Sequence, residues 1–95
     1  MLFVIHAYDY TDPQALDRRM AARPDHLQGA QELKTAGHFV VGGALLSPDN
    51  QMIGSMMLVE FEDEAQMRQW LDNDPYVTGK VWEKINVNPF RKANV

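Results

Sequence analysis

Three stretches of this chain carry apolar side chains at both parities of an extended strand, and no other feature constrains the fold as much. Leu2, Val4 and Tyr8 alternate with Phe3 and Ile5; Phe39, Val41 and Leu45 alternate with Val40 and Leu46; Ile53, Met57, Val59 and Phe61 alternate with Met56 and Leu58. A sheet with one face in water shows a cleaner alternation of apolar and polar residues. Both faces are therefore expected to be covered, one by helices and the other by a partner. The 95 residues leave room for a single domain, 1–95, whose core holds only a narrow margin over chain entropy. With no cysteine available for a disulfide, association into a homodimer is the expected source of further stability.

The segments around these runs read as two helices and a fourth strand. The first strand spans Leu2 to Tyr8. Asp12 followed by Pro13 marks a helix start, since the carboxylate can cap free amides and proline has none to satisfy at the first helical position. The helix runs from Pro13 towards Ala36. Pro24 inside it cannot donate to the carbonyl four residues back, so a kink or a restart is expected, with Asp25 and His26 in the new first turn. Gly37 ends the helix in the left-handed conformation that glycine tolerates. His38 to Leu46 is the second strand, and Ser47, Pro48, Asp49 and Asn50 turn it into a third, Met52 to Phe61, as a hairpin. Asp63 caps a second helix through Leu71, and Asn73, Asp74 and Pro75 stop it. The last strand runs from Val81 to Val87 or beyond, with Val81, Glu83, Ile85 and Val87 on one parity and Trp82, Lys84, Asn86 and Asn88 on the other. The order βαββαβ predicts an α+β fold of ferredoxin-like type, a four-stranded antiparallel sheet with both helices on one face.

Composition removes several classes of function. Hydrophobic residues make up 45% of the chain and charged residues 23%, which is globular usage. The formal net charge of −4 argues against binding a phosphate backbone, so no nucleic-acid partner is expected. No stretch approaches the ~20 apolar residues of a membrane span, and the run from Leu2 to Ala7 has neither a basic leader nor a small-residue cleavage site. No membrane partner is expected, and the location is read as cytoplasmic. Three histidines and scattered carboxylates show no zinc or calcium spacing, so no metal is expected. Gly42 and Gly43 form an isolated pair within a strand rather than a nucleotide-binding motif, and no serine stands in a nucleophile elbow. Acid–base chemistry is what remains.

His26 is the most informative candidate. By spacing alone it reads as a polar surface histidine just after Pro24, and Asp74 reads as part of a helix-ending Asp-Pro turn. The segments Arg19-Met20-Ala21-Ala22-Arg23-Pro24-Asp25-His26-Leu27, Gly54-Ser55, Asn73-Asp74-Pro75-Tyr76-Val77 and Val87-Asn88-Pro89-Phe90-Arg91-Lys92, together with the opening Met1-Leu2-Phe3-Val4-Ile5, occur in the order seen in the YCII-related (YciI-like) family. The chain resembles that family over essentially its whole length.

The resemblance implies a fold of dimeric α+β barrel type with a His and Asp pair at a pocket, here His26 and Asp74. In that arrangement the carboxylate holds one imidazole nitrogen while the other takes a proton from a small ligand, anionic or aromatic. A restart at Pro24 would place free amides beside His26, opposing the effect of the carboxylate on its proton affinity. Arg19 and Arg23 match family arginines able to clamp an anion, or else to form solvent-facing salt bridges. Ser55 is a ligand or backbone hydrogen-bonder, or a satisfied core hydroxyl. Tyr76 is a pocket wall or a packing residue, and Gly43 joins the substrate-binding set. Ala44 stands where many members have proline, and the turn after the second strand is short where many carry a loop, so substrate preference is expected to differ. The function implied is a cofactor-independent lyase, isomerase or dehalogenase, with no cofactor expected; the alternative is a non-catalytic ligand-binding dimer. Most members of the family have no assigned reaction; some act on chlorinated hydroxyquinone-type aromatics, and similar barrels host lactone isomerases and cofactor-free oxygenases, among which likeness of fold does not choose.

Overall fold

Antiparallel pairing of four strands in the order β2-β3-β1-β4 organises the computed structural model, which describes residues 1–95. The strands are β1 (Leu2–Asp9), β2 (Phe39–Leu46), β3 (Met52–Glu60) and β4 (Trp82–Phe90), and the helices are α1 (Ala15–Thr35), α2 (Glu64–Asp72) and α3 (Pro75–Thr78). This is the expected α+β arrangement, with one addition. The Asn73-Asp74-Pro75 stop is also a start, because Asp74 caps α3 with its side chain and Pro75 takes the first helical position.

The helices lie on the face that carries Phe3, Ile5 and Ala7 of β1 and Met57 and Val59 of β3. There Leu33 of α1, Met67 and Leu71 of α2, and Tyr76 of α3 close one apolar cluster. Burial of a side chain such as Phe3 or Ile5 stabilises the fold by roughly 1.5–3 kcal/mol. Asp63 caps α2 as expected, accepting from the Gln66 amide at 2.9 Å. Gly37 takes a left-handed φ of 84° at the end of α1. Gly54 is needed for space, since a Cβ there would run into the Ala7 carbonyl of the paired strand.

Three expectations need correction. Pro24 neither breaks nor restarts α1, which is continuous from Ala15 to Thr35. Pro24 and Met20 are both exposed, so the Met20 carbonyl that loses its donor stays within reach of water and the interruption is tolerated. His26 therefore sits mid-helix, away from free amides. The helix also begins two residues late: Asp12 and Pro13 form a turn, and the Asp12 carboxylate accepts from the Gln14 amide at 3.2 Å.

The third correction concerns the last strand. A bulge between Tyr8 and Asp9 skips Glu83, so that Tyr8 opposes Lys84 while Asp9 opposes Trp82. The extra residue inverts the parity, and Trp82 turns from the set of Lys84 and Asn86 to the helix-covered side, where it is buried. The opposite sheet face has no helix over it. Leu2, Val4 and Met56 are half-buried there, while Tyr8 and Val41 are exposed.

Candidate functional site

α1 builds one wall of a pocket because its buried stripe is not wholly apolar. Ala15, Arg19, His26 and Leu33 are its buried residues, at helical spacing, so two ionisable side chains point where a plain amphipathic helix would carry leucine. Arg19 and His26 line a cavity of about 130 Å³ together with Arg23, with Gly43 and Ser55 of the sheet and with Tyr76 of α3. An apolar cavity of roughly 150 Å³ accommodates benzene, so this volume suits one small ring.

Asp74 does not line that cavity; it stands behind His26. His26 Nδ1 lies 2.8 Å from Asp74 Oδ2, and both side chains are buried. The same Asp74 oxygen accepts from the Tyr76 amide at 2.9 Å, the capping bond of α3. The Tyr76 ring stacks on the imidazole with centroids 3.8 Å apart and planes within 10°. The run Asp74-Pro75-Tyr76 thus acts as a unit: cap, helix start, and a flat surface two residues on that fixes the imidazole plane. At a contact where the carboxylate only accepts, the neutral ring has its proton on Nδ1 and its lone pair on Nε2. Nε2 makes no hydrogen bond within the protein, and His26 lines the pocket.

Arg19 is held differently from either expectation. It neither faces solvent nor stands free to clamp an anion with both terminal nitrogens. Nη1 donates to both oxygens of Asp9, at 2.9 and 3.0 Å, and Nη2 donates to Ser55 Oγ at 2.8 Å. Its Nε is buried without a partner. The guanidinium also lies 4.7 Å from the centre of the Tyr76 ring, within range of a cation–π contact. Arg23, half-buried on the next turn, lines the cavity and forms no ion pair.

Burial pushes the Asp9 carboxyl up from its ordinary 3.8, against the opposing pull of the Arg19 hydrogen bonds and charge. Burial likewise raises the Tyr76 phenol above 10.0, against Arg19 and Arg23, so the stacking ring is neutral at physiological pH. Ser55 accepts a second bond from Trp82 Nε1 at 3.2 Å. Gly43 lines the pocket but has open space around it, whereas a Cβ on Gly42 would come within 2.8 Å of the Met56 carbonyl; the strand's space requirement falls on Gly42. No three His, Asp or Glu side chains gather closely enough to hold a metal.

Sequence reading missed Asp9 and Trp82. The first had a signal: Phe3, Ile5, Ala7 and Asp9 share one parity, which puts an acid in line with the core. Trp82 had none, because the bulge is invisible in the sequence.

Comparison with known proteins agrees with this geometry in fold and extent. The YCII-related domain matches residues 1–91. Protein YciI of Escherichia coli O6:H1 is 36% identical over 99 residues, covering 98% of this chain and 99% of that protein. Among solved structures, the 5-chloro-2-hydroxyhydroquinone dehydrochlorinase TftG from Burkholderia phenoliruptrix AC1100, in complex with 2,5-dihydroxybenzoquinone, superposes with a TM-score of 0.84. It is 26% identical, covering 98% of this chain and 96% of its own. SnoaB, a cofactor-independent oxygenase from Streptomyces nogalater, shares the fold at a TM-score of 0.51 and 11% identity, over 98% of this chain and 94% of its own.

Proposed function

The chain belongs to the YCII-related family, and from that premise we propose that it is a cofactor-independent small-molecule enzyme in which His26 is the general base. The observation that carries the reading is the 2.8 Å contact of His26 Nδ1 with Asp74, which leaves Nε2 bare beside a ring-sized cavity. Tyr76 and Asp74 fix the imidazole; Arg23 and Ser55 receive the oxygen on which charge develops. General bases placed in this way contribute about 10²–10⁴ in rate. A solved relative named as a dehydrochlorinase supports elimination as the reaction class. Such an elimination removes one proton and one chloride and needs no external oxidant or reductant. Isomerisation through the same enolate uses the same residues.

The test supplies 5-chloro-2-hydroxyhydroquinone to the wild-type chain and reads chloride release. His26→Ala is expected to lower turnover about a hundredfold or more, and Asp74→Asn to lower it by a comparable factor with little change in substrate affinity. Turnover by His26→Ala equal to wild type would sink the assignment. Binding without turnover by the wild-type chain, repeated across a metabolite screen, would favour the ligand-binding alternative.

The reading includes a homodimer, with the sheet face opposite the helices as its interface, and a cytoplasmic location. Half-buried Leu2, Val4 and Met56 and exposed Val41 contribute apolar surface there, and monomers seldom expose contiguous apolar patches of more than several hundred Å². Sedimentation at micromolar concentration should give twice the chain mass, and a stable monomer would contradict it.

A further inference from the structure

We infer that Ser55 is locked as a one-way hydrogen-bond donor, by residues that play no part in proton transfer, and that this lock selects ligands presenting an acceptor oxygen at that point of the pocket. The inference rests on the proposed ligand pocket and adds the polarity of one of its walls.

A serine hydroxyl has two lone pairs and one proton. In this structure Arg19 Nη2 donates to Ser55 Oγ at 2.8 Å and Trp82 Nε1 donates to it at 3.2 Å. Both are obligate donors, since neither a guanidinium nor an indole nitrogen can accept. The acceptor capacity of Oγ is therefore spent. Its proton has no protein acceptor among the hydrogen bonds of Ser55, although the residue is buried and lines the cavity. The buried Arg19 Nε is a second donor in the same residue set without a partner. Donors exceed acceptors on this wall, and a ligand oxygen restores the balance.

Asp9 and the bulge in β4 complete the device. Asp9 takes Arg19 Nη1 with both oxygens, which fixes the guanidinium plane and presents Nη2 to Ser55. The bulge that pairs Asp9 with Trp82 brings the indole to the same hydroxyl. Asp9, Arg19 and Trp82 are thus positioning residues for Ser55. A carbonyl, enolate or phenolate oxygen fits the Ser55 proton, whereas an amine or amide N–H meets another donor and leaves both unsatisfied, a mismatch that discriminates strongly in a buried site.

Equilibrium binding of a matched pair of single-ring probes tests this: 4-nitrophenolate offers an acceptor oxygen, and 4-nitroaniline offers N–H donors in the same place. The wild-type chain is expected to prefer the phenolate about tenfold or more. Trp82→Phe frees one lone pair, so Ser55 can then accept, and the preference should fall several-fold through improved aniline binding. Loss of packing alone would weaken both probes together. Should Trp82→Phe fail to fold, Ser55→Ala decides, since removing the hydroxyl should shrink the same ratio. A wild-type chain that binds both probes equally, or variants that keep the wild-type ratio, would overturn the inference. The ratio needs no turnover: a chain with full preference and no catalysis keeps the lock and loses the enzyme reading, and the converse result separates them the other way.

Discussion

Arg18 and Arg19 are neighbours in sequence, and each grips an aspartate from the segment before α1, yet solvent gives the two pairs opposite character. Arg18 donates from Nη1 and Nη2 to the two oxygens of Asp12, at 2.9 and 2.8 Å, on the surface. Arg19 donates from Nη1 to both oxygens of Asp9 in the interior. The hydrogen bond from Arg18 holds the Asp12 carboxyl at about 2, below its ordinary 3.8. The same kind of contact fails to hold Asp9 down, because burial outweighs it and the carboxyl is pushed up. The surface pair clips the turn that leads into α1. The buried pair orients a pocket wall, and its desolvation is the cost of that wall.

The largest difference between the pairs should appear when one partner is removed. Asp9→Ala leaves the Arg19 charge buried and unpaired and should destabilise the fold by about 3–5 kcal/mol in urea unfolding, where Asp12→Ala moves the midpoint only slightly. Replacing both members, Asp9→Leu with Arg19→Met, should recover much of the loss, since apolar residues of similar volume often substitute for a buried pair without penalty. Equal losses from Asp9→Ala and Asp12→Ala would erase the contrast.

A smaller effect lies in the acid limb of stability. Asp12 has a folded value of about 2 against an ordinary 3.8. The unfolded chain therefore binds its proton first on acidification, and the stability Asp12 contributes is present above 3.8 and lost as pH falls towards 2. Asp9 has the reverse sign. Its folded carboxyl holds a proton longer than the unfolded one, so its burial penalty develops as pH rises above 3.8. Asp12→Asn should flatten the loss of stability between pH 3.8 and 2, and an unchanged acid limb would show that the surface pair is not formed in solution.

How much of this was legible in the sequence follows the same division between local and long-range effects. The strands, the Asp63 cap, the Gly37 stop and the one-sided placement of the helices follow from local chemistry and periodicity. Helical periodicity also carries a signal for the site: buried Ala15 and Leu33 and half-buried Ala22 and Ala30 define a stripe on α1 whose phase passes through positions 19 and 26. A charged residue in phase with such a stripe must find a buried partner. Resemblance to a family named His26, Asp74 and Ser55, but spacing could not show that Asp74 would cap a four-residue helix and hold His26 with the same oxygen. The effect of Pro24 is not local, because it depends on which side of α1 meets water. The side on which Trp82 lies is not legible either, because one extra residue in a ladder reverses every parity before it, and nothing local marks that residue.

The tautomer of His26 bears most directly on whether this pocket holds a base. Long-range proton–nitrogen NMR correlations of the neutral imidazole in the wild-type chain should place the proton on Nδ1, facing Asp74, with Nε2 unprotonated, and Asp74→Ala should abolish that preference. A proton found on Nε2 of the neutral ring would leave no lone pair toward the pocket and would contradict the account.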